Sequence, residues 1–142
     1  MMSTTDVSGT TDQTLEWLLE SLRQRTPGVR HILVLSKDGL KMCFTPGLSV
    51  DKADHLSAIA AGIQSLSLSA SAEFGDRLGP GQAMVEFAGG LLLIIRAGAG
   101  AHLAVVADED ADVGVVGHNM NELVEQIGGF LTAAPRGPEP VS

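Results

Sequence analysis

The chain has 142 residues and a formal net charge of −8 at pH 7, from 9 basic and 17 acidic side chains. This length suits one domain that buries about two-thirds of the surface of the unfolded chain. The charge argues against a nucleic-acid partner, because phosphate binding depends mainly on Lys and Arg. It also disfavours binding to an anionic membrane surface. With one Trp, four Phe and no Tyr, few side chains remain for base stacking.

The sequence carries no pattern typical of export or membrane insertion. Residues 1–10 are polar and lack the basic and apolar regions of a signal peptide. Arg96 interrupts the longest apolar stretch, which stays short of the roughly 18 residues that a membrane-spanning helix needs. The single Cys43 has no internal disulfide partner, which suits a reducing compartment. We therefore expect a cytoplasmic protein with no direct membrane insertion.

The N-terminal region predicts a polar lead-in followed by an amphipathic helix. Residues 1–10 are rich in Ser, Thr and Gly, a composition typical of disordered segments. A helix is predicted over residues 12–25, because leucines recur on one face, and Pro27-Gly28 ends it. The leucine stripe consists of Leu15, Leu18, Leu19 and Leu22.

A hairpin and a long helix are predicted next. Residues 29–36 and 40–44 are strand-like, and the Asp38-Gly39 pair between them favours a tight turn. The helix is predicted over residues 50–74, with Ser49 as N-cap and Gly75 as its end. Although residues 65–72 alternate with the strand period, Ser and Ala are poor strand formers, which favours the helix. Its predicted inner face consists of Ala53, Leu56, Ala60, Ile63, Ser67, Ala70 and Phe74.

The long helix also carries a second face of small and apolar residues, Ile59, Gly62 and Leu66. Apolar residues on two faces of one helix indicate that both faces are buried. The second face has two interpretations: packing within the same chain, or contact with a partner.

The region after residue 82 predicts a three-stranded meander. Apolar runs over residues 83–88, 91–96 and 102–107 are separated by glycines, which reach the positive φ angles of tight turns. The run from Leu91 to Ile95 does not alternate, so we expect it to be covered on both faces.

The C-terminal region predicts one more helix and a loose tail. The helix is predicted over residues 113–132. Residues 134–142 are rich in proline and are predicted to be disordered. The apolar face of the helix consists of Val116, Met120, Leu123, Val124, Ile127 and Leu131.

The sequence predicts no catalytic residue, no metal site and no cofactor site. Cys43 lies within a predicted strand, where cysteine behaves as a small apolar residue. Asp108, Asp110 and Asp112 open like a calcium loop but lack its later Gly and Glu, so we interpret them as residues that cap the next helix. The turn at residues 98–100 precedes a strand rather than a helix, which excludes a dinucleotide-binding loop. The four histidines, none with metal-ligand spacing, are His31, His55, His102 and His118.

The element order α-β-β-α-β-β-β-α, the string S-K-D-G-L at residues 36–40 and the string D-H-L-S-A-I-A-A-G-I-Q-S-L at residues 54–66 resemble the roadblock/dynein-light-chain domain. More narrowly, the chain resembles the actinobacterial branch of small roadblock proteins, which are encoded beside a Ras-like GTPase and a sensor-kinase-like protein. The resemblance covers residues 11–133. It implies an α+β fold: a five-stranded antiparallel sheet with the second helix on one face and the first and last helices on the other.

The resemblance implies a homodimer in which the third strands pair edge to edge and the second helices pack together. Glu86 on that strand has two interpretations, a charge that limits promiscuous pairing or a group that bonds across the two-fold axis. The predicted dimer interface consists of Ile59, Gly62, Ile63, Leu66, Ala83, Met84, Val85, Glu86 and Phe87.

The resemblance further implies a GTPase partner that docks on the surface carrying the second helices. We expect a non-enzymatic regulator or scaffold of a Ras-like small GTPase in bacterial signalling, with binding alone and stimulation of GTP hydrolysis both open. A sensor-kinase-like membrane protein is a second expected partner, which would recruit the chain to the membrane. The residues predicted to face the GTPase are Asp51, Lys52, Asp54 and His55.

The alternative is a profilin-like small-molecule sensor. Its pocket would lie between the sheet and a helix, and the strand from Leu91 to Ile95 would contribute to the lining. The dense apolar packing predicted for this region leaves little room for polar lining residues.

Overall fold

A five-stranded antiparallel sheet lies between two helical layers in the computed structural model, which describes residues 3–79 and 81–133. The strand order is β2-β1-β5-β4-β3, so β2 and β3 form the two edges of the sheet. The elements are α1 (Ser3–Arg25), β1 (Val29–Ser36), β2 (Lys41–Phe44), α2 (Val50–Phe74), β3 (Ala83–Phe87), β4 (Gly90–Arg96), β5 (Ala101–Asp108) and α3 (Val113–Ala133).

Helices α1 and α3 pack on one face of the sheet. Their leucines and other apolar residues meet alternate residues of β1, β4 and β5, as expected for strands whose side chains point to opposite faces in turn. The predicted apolar stripes of both helices are confirmed, apart from Leu131, whose side chain lies outside the described residues. The helical residues of this core are Leu15, Leu19, Leu22, Val116, Met120, Leu123 and Ile127.

Helix α2 packs on the opposite face through Ala53, Leu56 and Ala60. Strand β4 lies between the two layers: Leu91, Leu93 and Ile95 enter the α1–α3 core, and Leu92 and Ile94 enter the α2 core. All five of these residues are buried, which confirms that the non-alternating run is covered on both faces. The architecture expected from the sequence is therefore the one observed.

The first helix is longer than the sequence predicted. It begins at Ser3 rather than near Asp12, so it includes most of the segment that the sequence analysis assigned to a disordered lead-in. No proline interrupts the backbone before Pro27, which allows the helical hydrogen bonds to continue through the polar segment. The predicted C-terminal tail, residues 134–142, lies outside the described residues.

Helix α2 begins and ends where the sequence predicted, but its last turns extend beyond the sheet. Its buried residues stop at Gln64, and Phe74 is 87% exposed. The prediction that Ala70 and Phe74 belong to the inner face is therefore wrong. A helix of 25 residues spans about 37 Å, whereas the sheet, at strand spacings near 4.8 Å, measures about 20–25 Å in either direction.

The loop between α2 and β3 is held against the protruding part of α2 by side chains of the helix. Ser67 Oγ accepts a hydrogen bond from the Gly81 amide (2.9 Å), and Ser71 Oγ accepts one from the Gly79 amide (3.1 Å). The Gln64 side-chain amide donates to the Gly81 carbonyl (3.2 Å). These three bonds fix the path that the chain takes into β3.

Two further side chains connect separate parts of the fold. The Arg30 guanidinium on β1 donates to the carbonyls of Gly89 (2.8 Å) and Ala107 (3.2 Å) and forms an ion pair with Asp108 (3.0 Å). It thereby ties the β3–β4 turn, where Gly89 has φ +92°, to the central strands. The position of the β3 edge is thus determined by contacts at both of its ends.

We expect Ser49→Ala to lower the free energy of unfolding by about 1 kcal/mol, because Ser49 Oγ accepts the hydrogen bond of the Lys52 amide (3.2 Å) at the N-terminus of α2. Urea unfolding at a fixed protein concentration measures the change. Ser49→Asp keeps an acceptor at the cap and should retain the stability of the parent chain. Equal losses in both variants would show that the side-chain acceptor at the cap is not the source of the stability.

Candidate interaction surface and adjoining pocket

The outer face of α2 exposes apolar side chains. Ile59 is 53% exposed and Leu66 is 72% exposed, and Gly62 between them is also exposed. Ile63 is half-buried and packs against the α2 core. Within the described protomer, the second face predicted for this helix is therefore left uncovered.

The β3 edge exposes apolar side chains next to this helix. The register pairs Val85 with Leu92 and Met84 with Leu93, so Val85 lies on the α2 face of the sheet and Met84 on the opposite face. By the same alternation, Phe87 lies on the α2 face and Glu86 on the other. Ala83 is half-buried against the α2 core, and the remaining four residues of the strand are exposed.

Helix α2 contacts β3, so the two exposed features adjoin. We call the combination of Ile59, Gly62, Ile63, Leu66, Val85 and Phe87 the α2–β3 surface. Its apolar side chains lie beside the free backbone edge of β3. Exposed apolar residues along an unpaired edge strand are typical of a protein–protein interface.

The first turns of α2 carry the residues predicted to face a GTPase. Asp51, Lys52, Asp54 and His55 are all exposed, so the structure leaves them accessible. Asp54 forms an ion pair with Lys41 of β2 (2.5 Å). Asp51 lies in the first turn of the helix, where a negative charge is favoured by the helix dipole.

A pocket of about 550 Å³ lies on the other flank of α2. It is bounded by the middle of α2, the β1–β2 turn, the β4–β5 turn and the loop that precedes β3. The pocket differs from the one that the sensor alternative predicted, because its lining includes several polar and basic side chains. These are Lys37, Asp38, Gln64, Ser65, Arg96 and His102.

Two polar side chains in the pocket wall are more than nine-tenths buried. Gln64 is 3% exposed and His102 is 6% exposed, and the Gln64 side-chain nitrogen lies 3.4 Å from His102 Nδ1. Burial lowers the pKa of His102 below its ordinary value, and the Arg96 guanidinium on the neighbouring strand lowers the pKa further. Both effects disfavour the charged imidazole.

The residues considered for catalysis or metal binding do not form a site. Cys43 is half-buried and packs against the α1–α3 core. Asp112 Oδ1 accepts a hydrogen bond from the Val115 amide (3.2 Å) at the start of α3, which confirms the capping interpretation for Asp112 alone. Asp108 does not cap the helix, because it ends β5 and pairs with Arg30. Across residues 3–79 and 81–133, no three His, Cys, Asp or Glu side chains lie close enough together to hold a metal ion.

Sequence reasoning missed the pocket because its residues come from four separate segments. Gln64 lies beside the predicted inner-face position Ile63 of α2, and His102 begins a predicted apolar strand, where the sequence indicated a surface or strand-edge histidine; both side chains are buried in the structure. A polar residue within an apolar segment is the local signal by which the sequence could have indicated the pocket. In the sequence, Arg96 stands out only as a charge that interrupts an apolar stretch.

The fold and the uncovered surface define the protein as an α+β domain of the roadblock/profilin type. The sequence profile described as the Roadblock/LC7 domain matches residues 15–107. The chain belongs to the Roadblock/LC7 domain family. No curated protein matches the chain in sequence.

Solved structures agree with this assignment. A Roadblock/LC7 domain from Streptomyces avermitilis is 40% identical in sequence, with a TM-score of 0.78, over 82% of this chain and 96% of that one. An MglB structure with a tetrameric arrangement is 19% identical, with a TM-score of 0.74, over 83% of this chain and 88% of that one. Profilin II from Acanthamoeba castellanii is 14% identical, with a TM-score of 0.56, over 82% and 98%. The last two show the similarity of the fold alone.

Within the described residues, no helix has both the length and the apolar character needed to cross a membrane.

We expect the free energy of unfolding to fall as the pH drops from about 7.5 to 5.5, because the unfolded chain, with histidine pKa values near 6.5, binds more protons than the folded one. Burial lowers the pKa of both His102 and His31 in the folded chain, so their contribution to stability is complete above pH 6.5 and is lost below it. Urea unfolding across this range measures the slope. His102→Gln should give a shallower slope, and an unchanged slope would show that His102 titrates normally.

Proposed function

We propose that this chain is a homodimeric, non-catalytic regulator or scaffold that binds a Ras-like small GTPase in a bacterial signalling system. The observation that carries the proposal is the α2–β3 surface, which leaves an apolar helix face and a free strand edge side by side. Family membership supports it, because the roadblock resemblance implies both self-association and a GTPase partner.

The α2–β3 surface suits a second copy of the same chain. Strand β3 has a row of unpaired backbone groups, and an identical strand brought up antiparallel through a two-fold axis satisfies them. The same axis brings the outer faces of the two α2 helices together. Gly62, which lies between Ile59 and Leu66 on this face, allows the two helices to approach closely. The dimer would thereby cover the apolar side chains that one protomer leaves exposed.

Self-association has precedent among proteins of this fold, since one MglB structure has a tetrameric arrangement. In the proposed dimer, Glu86 lies on the seam but on the α1–α3 face. There it is exposed, and within the described residues it forms no ion pair. Both of its interpretations, a bond across the axis and a charge that limits wrong pairing, therefore remain compatible with the proposal.

The GTPase is proposed to bind at the N-terminal turns of the paired α2 helices. Asp51, Lys52, Asp54 and His55 form a charged, accessible end of α2 that is separate from the apolar contact of the dimer. Charged groups at the rim of an interface govern partner choice and association rate. An arginine supplied by a partner can stabilise the transition state of GTP hydrolysis, and no arginine is among these four residues. The proposal therefore covers binding and leaves stimulation of hydrolysis as a separate question. A sensor-kinase-like membrane protein is proposed as the upstream partner.

We expect Leu66→Glu to weaken dimerisation on the order of a hundredfold, because each dimer would bury two carboxylates within an apolar contact. Sedimentation equilibrium over a range of protein concentrations measures the dissociation constant. Leu40→Glu is the matched control, since Leu40 is 67% exposed in the β1–β2 turn, away from the α2–β3 surface. A parent chain that is monomeric at micromolar concentration would contradict the dimer.

We expect Asp51→Lys to weaken binding of the proposed Ras-like GTPase partner about tenfold, with a larger effect at low ionic strength. Isothermal titration with the GTPase loaded with GDP or with a non-hydrolysable GTP analogue measures the affinity of each state. Glu16→Lys on α1 is the matched control, because that exposed residue lies on the opposite layer. Absence of binding in both nucleotide states would refute the GTPase partner. Equal affinity of the GTPase for the Asp51→Lys and Glu16→Lys variants would show that the GTPase contacts another part of the surface.

A further inference from the structure

Four residues of α2 recur at intervals of seven and form one line along the helix. They are Lys52, Ile59, Leu66 and Glu73. Because seven residues are close to two helical turns, their side chains lie one above another, over about 32 Å from the first turn to the last. All four side chains are exposed in the protomer. We call these four residues the heptad line.

The heptad line lies on the flank of α2 that faces β3. Ile63, four residues after Ile59, is half-buried and packs against the same core as Ala83 of β3. At 100° per residue, the line points about 160° away from Ala61 and Leu68, which border the pocket on the opposite flank. The line therefore runs along the α2–β3 surface, with a charged residue at each end.

The helix by itself does not favour these terminal charges. Lys52 lies in the first turn of α2 and Glu73 in the last, whereas the helix dipole stabilises acidic residues at the N-terminus and basic residues at the C-terminus. Among the residues that the structure describes, neither side chain forms an ion pair. Both charges are therefore available to a partner.

A second copy of the chain supplies the opposite charges at the required spacing. The two-fold axis of the proposed dimer, which makes the β3 strands antiparallel, also makes the α2 helices antiparallel. When the axis passes just after Gly62, the middle of the helix, Ile59 meets Leu66 of the partner subunit. In the same register Lys52 meets Glu73 of the partner subunit, once at each end of the pair. A parallel pair would instead bring like charges together.

We propose that Lys52 and Glu73 form ion pairs across the dimer and thereby set the orientation and register of the paired α2 helices. The inference rests on the dimer of the proposed function and identifies the contacts by which this chain selects its own copy. Opposite charges at the two ends of an apolar line make that line complementary to itself in one arrangement alone. Of the four residues proposed to face the GTPase, Lys52 is the one that lies on this line.

The register also gives the last turns of α2 a surface to cover. These turns extend beyond the sheet of their own protomer, and Phe74 is exposed there. In the antiparallel pair they lie beside the N-terminal turns of the partner's α2, over the partner's half of the extended sheet. Val85 and Phe87 of β3 are exposed on that face of the sheet. The length of α2, which exceeds its own sheet, thus serves the dimer.

Charge-reversal variants of the full chain test the ion pairs. Acidic residues meet at both ends of a Lys52→Glu dimer, and basic residues meet at both ends of a Glu73→Lys dimer. Each variant should weaken self-association about tenfold at low ionic strength and less in about 0.5 M salt, as measured by sedimentation equilibrium. Each substitution also introduces the charge that the helix dipole favours, so loss of the helix does not account for the weakening.

Mixing the two variants provides the decisive measurement. A heterodimer of Lys52→Glu and Glu73→Lys chains has opposite charges at both ends, so its dissociation constant should return to that of the parent dimer. One variant carries a fluorescent label so that heterodimers are counted separately. The matched control is a mixture of Lys52→Glu with Glu125→Lys, which makes the same charge change on an exposed residue of α3 in the opposite layer. That mixture should show no preference for heterodimers.

A third variant tests the cover over β3. Phe74→Ser should weaken dimerisation about tenfold or more at every salt concentration, because the contact that it removes is apolar. Leu40→Ser, on an exposed apolar residue of the β1–β2 turn, is its control and should dimerise as the parent chain does.

The outcomes separate this inference from the proposed function. A dimeric parent chain whose charge-reversal variants associate as tightly as the parent, or whose mixture shows no preference for heterodimers, would overturn the ion pairs and leave the dimer intact. An unchanged dissociation constant in Phe74→Ser would overturn the cover over β3. A parent chain that stays monomeric would contradict the proposed function together with this inference.

Discussion

The burial of β4 on both faces is the constraint from which the rest of the fold follows. Leu91, Leu92, Leu93, Ile94 and Ile95 are all buried, so neither face of the central sheet tolerates water. Two helical layers are therefore required, and the chain supplies them with α1 and α3 on one side and α2 on the other. Each layer needs an apolar stripe at helical spacing, which is what the helices carry.

The same constraint explains why one protomer is incompletely covered. A single helix on the α2 face is longer than the sheet, and its width is insufficient to cover all five strands. It leaves the exposed residues of β3 at one edge and its own outer face uncovered. The apolar surface that drives folding of the protomer thus continues into a surface available for association. A second copy that added its strand to β3 would extend the sheet and would at the same time cover the α2–β3 surface.

The two flanks of α2 differ in chemistry. The flank toward β3 is apolar and suited to a protein surface. The flank toward the β4–β5 turn carries Gln64 beside His102 and Arg96, and it encloses a polar pocket. Gln64 also bonds to the loop that leads into β3, so this flank of the helix helps to position the β3 edge.

Much of the fold follows from local patterns in the sequence, because those patterns depend on short-range physics. The Asp38-Gly39 pair, the glycine-separated strands, the Ser49 cap and the helical spacing of apolar residues each determine an element within a few residues of itself. The boundaries of α2 were correctly predicted for this reason. The roadblock resemblance supplied the arrangement of these elements, which the strand order and the two cores confirm.

Other features depended on distances between segments that are far apart in the chain. The exposure of Phe74 follows from the length of α2 relative to the sheet. Helix α1 extends back to Ser3 through a segment that has no proline to stop it and carries no apolar signal. The pocket depends on turns and strands that meet only in the folded protein. By itself, the sequence therefore determined the elements, their order and the two-faced character of α2 and β4. Only the tertiary structure decided which apolar residues remain uncovered and which polar residues meet, because burial and proximity are properties of the assembled layers.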